Sequence, residues 1–332
     1  MKILVTGGTG YIGSHTTVEL LRAGYEVEIL DNLSNSKEST IDNIEKITGI
    51  RPVFHKVDLK NFEKTLEVLV ENNFDAVIHF AGLKAVGESV EKPLEYYENN
   101  IGGTLNLLKA MDETKVQKLI FSSSATVYGD QGTAAYSEKM QTGVGITNPY
   151  GWTKAMIEQI IKDYAKANSK FSATILRYFN PIGADKSGYL GEDPNGIPNN
   201  LLPIIMKVYR GEIPELTIFG KDYPTEDGSC KRDFIHVSDL ALGHVAALER
   251  MRDGVAVYNL GSGKATSVFE IISLFEKASG EKLPVKVGER RAGDLAEFFA
   301  DPSLAKEELD WETKLSVEDA IRDTLNYLKN LE

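Results

Sequence analysis

Short apolar runs alternate with longer stretches of helical periodicity through the first half of the chain. Residues 2–6 form a β-rich run, and residues 11–23 follow with helix-like spacing and Gly24 at the C-cap position. Residues 26–30 and 53–57 read as strands. Residues 61–71 read as a helix, with Phe62, Leu66, Leu69 and Val70 at helical spacing. Residues 76–80 and 119–121 are continuous apolar runs of the kind that suits strands buried on both faces of a parallel sheet. Between them, residues 93–111 read as one long helix with Pro93 in its first turn. Residues 173–178 are a further strand. This rhythm predicts an α/β fold with a doubly wound parallel sheet of Rossmann type, and right-handed crossovers that put helices on both faces.

After Asn180 the texture changes. Pro181, Pro194 and Pro198 fall within twenty residues rich in Gly, Asp and Asn, the chemistry of a loop-rich boundary. The expected division is a first domain at 1–180 and a smaller mixed α/β C-terminal lobe at 181–332. Within the lobe, residues 201–209, 238–250, 268–278 and 317–328 read as helices, 216–219 as a strand and 222–233 as a loop. Residues 234–237 and 257–260 read as strands free to return to the main sheet. The chain carries neither an internal repeat nor a low-complexity tract.

Charge narrows the possible partners. The 332 residues include 37 Lys and Arg against 49 Asp and Glu, a net charge of −12. That balance excludes nucleic acid and anionic membranes as main partners, since both need a basic face. An anionic small molecule needs only a few local Arg or Lys. The single cysteine, Cys230, excludes a disulfide framework and a Cys-rich zinc site, and it suits a reducing, cytoplasmic setting. No apolar run approaches the roughly 20 residues of a membrane span, and the first six residues are expected to start a strand rather than a secretion signal. His15, His55, His79, His236 and His244 are scattered, so no metal site is expected. The acidic trio Asp222, Glu226 and Asp227 reads as a charged loop, and Cys230 as an unreactive thiol despite its basic neighbours Lys231 and Arg232.

Two motifs carry chemistry. Gly7, Gly10 and Gly13 lie three apart between the first strand and the first helix. Glycine permits the tight turn and close approach of backbone to a pyrophosphate, and the helix N-terminus then offers free N–H groups. Asp31 closes the second strand, where an acid accepts hydrogen bonds from a ribose 2′-hydroxyl and repels a 2′-phosphate. NAD is therefore expected over NADP, with Lys37 the one residue that argues the other way. The competing reading is a glycine-rich turn without a ligand.

The second motif is Tyr150 and Lys154, four apart on a helix opened by Pro149, with Ser122, Ser123 and Ser124 at the end of an earlier strand. A free phenol titrates near pH 10. A neighbouring ammonium is expected to lower that value and make Tyr150 usable as a general base. A serine hydroxyl at a strand's carboxyl end can hold a substrate oxygen. Taken alone, a Tyr and Lys at this spacing is common and usually structural, a helix surface pair.

The glycine spacing, the strand-end Ser124 and the run from Tyr150 to Lys154 resemble the extended short-chain dehydrogenase/reductase family. Longer stretches at 79–89, 121–129, 177–181, 197–201 and 222–228 resemble its nucleotide-sugar 4-epimerase branch, and the likeness runs from about residue 1 to about residue 301. The resemblance implies reversible interconversion of UDP-galactose and UDP-glucose, in galactose metabolism, through a 4-keto sugar. Tightly bound NAD would be the transient hydride acceptor, and the chain would be a homodimer paired through two long helices of the first domain. It implies that Tyr150 removes the 4-hydroxyl proton, Ser124 hydrogen-bonds the reacting oxygen and Lys154 tunes Tyr150 and contacts the nicotinamide ribose. The implied NAD contacts are Gly7, Gly10, Tyr11, Ile12, Gly13, Asp31, Asn32, Asn35, Ser36, Asp58, Leu59, Phe80, Ala81, Gly82, Lys84, Asn99, Ser124, Tyr150, Lys154 and Phe179. The implied UDP-sugar contacts are Lys84, Ser124, Tyr150, Asn180, Asn200, Thr217, Ile218, Phe219, Arg232, Arg291, Asp294 and Phe298, while Arg290 reads as a surface charge.

Phe298 would crowd a sugar C2 substituent and disfavour N-acetylated substrates. A 4,6-dehydratase on the same scaffold needs a carboxylate beside the serine, whereas Ser124 is followed by Ala125 and Thr126. A non-catalytic NAD sensor need not keep the proton-transfer trio.

Overall fold

The computed structural model describes residues 1–331 except Gly196, Ile197, Asn199, Ala292 and Gly293. The 197–201 stretch therefore lies partly outside the described residues. The strands β1 (Lys2–Thr6), β2 (Glu26–Asp31), β3 (Val53–Lys56), β4 (Ala76–His79) and β5 (Lys118–Ser124) join Ser172–Tyr178 and Val255–Leu260 in one seven-stranded sheet. All its pairs are parallel. The order across the sheet is Val255–Leu260, Ser172–Tyr178, β5, β4, β1, β2, β3. From β1 the chain builds outward through β2 and β3, then crosses back to β4. The crevice at such a reversal, outside the carboxyl ends of β1 and β4, is where open α/β sheets bind ligands.

Period-two alternation sends neighbouring residues of each run to opposite faces. Val5, Ile29 and Ile78 join one core with Leu240 and Trp311, while Leu4, Leu30 and Val77 join another with Leu107 and Leu119. Each such side chain contributes about 1.5–3 kcal/mol when fully buried. On the first face the Tyr11–Arg22 helix packs against Val237–Glu249; on the second, Phe62–Asn72 packs against Gly103–Thr114.

The structure differs from the sequence pattern at several places. Residues 93–111 are not one helix. Pro93–Tyr96 is α-helical, Tyr97–Gly102 is a π turn, and the α-helix resumes over Gly103–Thr114. The extra residue of the π turn brings Asn100 against the backbone of Leu83, where its amide accepts from the N–H at 2.8 Å and donates to the carbonyl at 3.0 Å. The helix Ser39–Thr48 is not among the expected elements, although Ile41, Ile44 and Ile47 recur three apart and pack on the first core. Residues 234–237 do not return to the main sheet: Val255–Leu260 already occupies that edge in register with Ala173–Tyr178, so Phe234–His236 pairs with Asn180–Ile182 instead. Finally, the 222–233 loop contains a two-residue strand, Lys231–Arg232.

That short strand belongs to a four-stranded sheet ordered Thr266–Ser267, Lys231–Arg232, Glu297–Ala300 and Ala135–Tyr136. Leu216–Phe219 pairs with Val285–Gly288, and the lobe closes on a core that includes Ile205, Phe275 and Ile321.

Candidate active site

A cleft of about 1080 Å³ opens at the carboxyl ends of β1 to β4. The glycine turn forms its floor, and two of its glycines are sterically required. Gly7 has φ +72°, and a Cβ there would lie 2.6 Å from the Ala81 nitrogen. At Gly13 a Cβ would lie 2.2 Å from the Gly7 carbonyl oxygen. Gly10 caps the Tyr11–Arg22 helix with no side-chain hydrogen bond, and no acid occupies the first turn. The first N–H groups of the helix are thus left for an anion.

At one end of the cleft, Asp31 accepts from the Thr9 nitrogen at 3.2 Å and the Leu33 nitrogen at 2.8 Å. Asn32 donates to Asp58 at 3.1 Å, and Thr9 and Ser36 share a 2.7 Å hydroxyl contact. Lys37 also lines this end of the cleft and is ion-paired with Asp193. Tyr11, Ile12, Asn35, Leu59, Phe80, Ala81, Gly82, Lys84 and Asn99 line the same cleft. An acid at the ribose end, glycines without room for a Cβ and an uncapped helix between them fit a dinucleotide.

Tyr150 and Lys154 line the other end. Asn148 caps their helix by accepting from the Gly151 nitrogen at 2.8 Å, with Pro149 in the first turn. The Lys154 ammonium donates to the Ser122 carbonyl and sits 5.9 Å from the Tyr150 ring centroid. Ser124 ends β5, and its hydroxyl accepts from Thr126 Oγ1 at 3.0 Å.

The electrostatics differ from expectation. Burial pushes the Tyr150 phenol up, and what opposes this is the Ser124 hydroxyl rather than Lys154. Burial also pushes Lys154 down to about 8, with Glu158 pulling it back up. Both groups have lost water, so desolvation outweighs their mutual attraction, and the ammonium is directed at a carbonyl rather than at the phenol oxygen. Tyr178, on the adjacent strand, bonds His244 and is itself pushed well above the ordinary phenol value by burial.

Of the expected UDP-sugar contacts in the second lobe, Asn200 is in the lining of this cleft and the others are not. Phe298 stacks on Tyr136 and Phe179 with ring centroids 4.5 and 5.1 Å apart. Arg232 is the register partner of Phe298 on the neighbouring strand, and it donates to Asp294 at 2.7 Å and to the Leu295 carbonyl at 2.8 Å. Arg291 lies 4.0 Å over the Phe219 ring. Thr217 and Phe219 point to the partly open side of their strand, whereas Ile218 points into the core and is 2 % exposed. Only its backbone is available to a ligand. Asn180 begins the strand two residues beyond Tyr178, and Asn200 lines the main cleft. Arg290 pairs with Asp222 at 2.6 Å on the surface. The Cys230 thiol is pushed up by burial, which keeps it unreactive.

Two participants escape sequence reasoning. Glu192 accepts from Lys84 at 2.7 Å and from Asn200 at 2.6 Å, tying the two halves of the cleft together. It sits in an irregular loop, where no periodicity marks it. Asn100 donates to Thr153 at 3.1 Å and so couples the loop after β4 to the Tyr150 helix. Its only signal is position in a helix that should have been continuous.

A model of the NAD dependent epimerase/dehydratase family matches residues 3–261. The chain is 53% identical over 331 residues to a UDP-glucose 4-epimerase of Neisseria meningitidis serogroup C, covering 99% of this chain and 97% of that one. It is 53% identical over 326 residues to the UDP-glucose 4-epimerase of Bacillus subtilis, covering 98% and 96%. Among solved structures, the Bifidobacterium longum UDP-glucose 4-epimerase in complex with NAD+ and UDP superposes with a TM-score of 0.96 at 48% identity, covering 99% of this chain and 98% of that one.

Proposed function

The chain belongs to the NAD dependent epimerase/dehydratase family, and from that premise we propose that it interconverts UDP-galactose and UDP-glucose at sugar C4 through a 4-keto intermediate. The observation that carries the reading is the convergence of Tyr150 and Lys154 on one end of a cleft whose other end presents Asp31 and the glycine turn. NAD, when bound, supplies a two-electron acceptor that takes the C4 hydride and returns it.

The residues of the chain handle the proton and the geometry. Tyr150 accepts the 4-hydroxyl proton and later gives it back. Ser124 holds the reacting oxygen and steadies the phenolate, the one polar contact that lowers the Tyr150 pKa. Lys154, fixed by the Ser122 carbonyl, presents positive charge to the same end. Asp31, Asn32, Asn35, Ser36 and Asp58 take the adenosine half, and the uncapped helix takes the pyrophosphate. In an acidic chain the UDP diphosphate needs local cations, which Arg232 and Arg291 supply, with Phe219 beside the nucleotide. Phe298, braced by Tyr136 and Phe179, limits the room beside the sugar C2.

Residues 1–180 then hold the cofactor, with Val255–Leu260 added to their sheet, and the remaining lobe holds the nucleotide sugar. A homodimer accounts for Val90 and Leu94, which are 60% and 81% exposed beside the Pro149–Ala167 helix. Among the described residues no helix is long and apolar enough to cross a membrane, and the one free cysteine suits a cytoplasmic setting. The test is to incubate purified, NAD-containing protein with UDP-galactose and no added cofactor. UDP-glucose should form to equilibrium; an NAD-loaded protein that forms none sinks the proposal.

A further inference from the structure

We infer that Glu158, held by Arg177 and Ser123, is a positioning residue for the Tyr150–Lys154 pair: it clamps their helix to the two strands that flank the reacting end and places a carboxylate one helical turn from the Lys154 ammonium. The inference rests on the proposed role of that pair in proton transfer.

Glu158 lies four residues beyond Lys154 and eight beyond Tyr150, on the same helical face. Its side chain is 1% exposed. One carboxylate oxygen accepts from Ser123 Oγ at 2.6 Å and from Arg177 Nε at 2.9 Å. The other accepts from Arg177 Nη2 at 2.6 Å, which makes the pair bidentate. Each partner is the sequence neighbour of a residue at the reacting end. Ser123 sits between Ser122, whose carbonyl fixes Lys154, and Ser124; Arg177 precedes Tyr178. Arg177 is anchored in turn, donating to the Tyr128 hydroxyl at 2.9 Å, which donates to Asn259 at 2.7 Å. A shift of the helix by about 1 Å would carry several of these bonds beyond hydrogen-bonding distance at once.

A charge effect accompanies the clamp, since Glu158 lies one helical turn from Lys154. Burial raises the pKa of Glu158, but Arg177 and Ser123 outweigh it and hold the carboxylate below its ordinary range. Burial lowers Lys154, and the Glu158 charge opposes that. The other ionisable groups around Lys154 do not replace it. His79 on β4 is buried and neutral, Tyr178 on the next strand is a neutral phenol, and Arg177 beside it is of like charge. Lys162, one turn further along the helix, is 3.5 Å from Glu158 and also positive. On the 86–102 segment packed against the helix, Glu88 is engaged by Lys92 and Tyr96.

The test is a pH titration of the NAD-loaded protein carrying ¹³C-labelled lysine, with the Lys154 signal assigned by its loss in Lys154→Arg. In Glu158→Gln the Lys154 midpoint should fall by about one pH unit. The alkaline limb of kcat should move by the same amount in the same direction, with KM for UDP-galactose unchanged within twofold. Glu158→Asp should recover part of the shift. Glu158→Gln leaves Arg177 unpaired, so the charge-neutral double variant Glu158→Gln/Arg177→Gln provides a second route and should still lower the midpoint. A folded variant of either kind whose Lys154 titrates as in the parent protein overturns the inference. The titration needs no turnover, so loss of the epimerase reading would leave the charge measurement standing as a separate result.

Discussion

Gly13→Ala isolates the requirement of the dinucleotide turn, because it adds one methyl group without backbone strain. The new Cβ would sit 2.2 Å from the Gly7 carbonyl oxygen and 2.9 Å from the Gly8 Cα. An ordinary carbon–oxygen contact lies near 3.3–3.6 Å, so the turn must open by about 1 Å. It has little freedom to do so. The Gly7 carbonyl accepts from the Gly10 nitrogen at 3.1 Å, and Gly7 is itself packed against the Ala81 backbone. Overpacking of this kind costs about 1–3 kcal/mol. Opening the turn also misplaces N–H donors toward a diphosphate, at about 1.5–3 kcal/mol for each charge-assisted bond lost. NAD retention should therefore fall by a factor of about ten to a hundred. Gly24→Ala is the control: its φ is +85°, but nothing lies within 4 Å of the added methyl, so it carries strain without contact. It should lose about 1–2 kcal/mol of stability and keep its cofactor. The assay is NAD released per chain on denaturation, together with the melting temperature with and without added NAD. Gly13→Ala protein with the parent's NAD content and melting temperature would refute the steric reasoning. So would equal NAD loss in Gly24→Ala.

Tyr150→Phe should lower kcat by about 10²–10⁴-fold while NAD stays bound; a rate within tenfold of the parent enzyme removes Tyr150 as the base. Phe298→Ala should raise the preference for UDP-N-acetylgalactosamine over UDP-galactose by about tenfold or more in kcat/KM, and an unchanged ratio would show that the Tyr136–Phe298–Phe179 stack sets no limit at C2. Stability should fall in acid. His15, His79 and His244 are buried, and loss of solvent pushes them down to about 4, 3 and 4. The unfolded chain protonates them near pH 6.5, so the stability given by the neutral rings is complete above that pH and is lost as pH falls toward 4. At pH 5 the loss is about 2 kcal/mol for each ring, and a urea midpoint constant from pH 7 to pH 5 would contradict it.

What could be read before any fold was known was local. The glycine spacing, Asp31 at a strand end, and Tyr150 four residues before Lys154 all depend on the repeat of one strand or one helix. Those repeats are set by backbone geometry and survive in any tertiary context. The paired apolar runs announced a sheet covered on both faces for the same reason. The fold decided what depends on neighbours distant in sequence. It put Val255–Leu260 at the sheet edge and left Phe234–His236 outside. It turned a continuous helical pattern into a π turn around Asn100, brought Glu192 across the cleft to Lys84, and placed Arg232 beside Phe298. It also decided the electrostatic balance. The spacing of Tyr150 and Lys154 promised attraction, but their shared burial raises one pKa and lowers the other, and the compensating carboxylate is held in place by Arg177 from another strand. Desolvation is a property of everything packed around a group, and no window of sequence contains it.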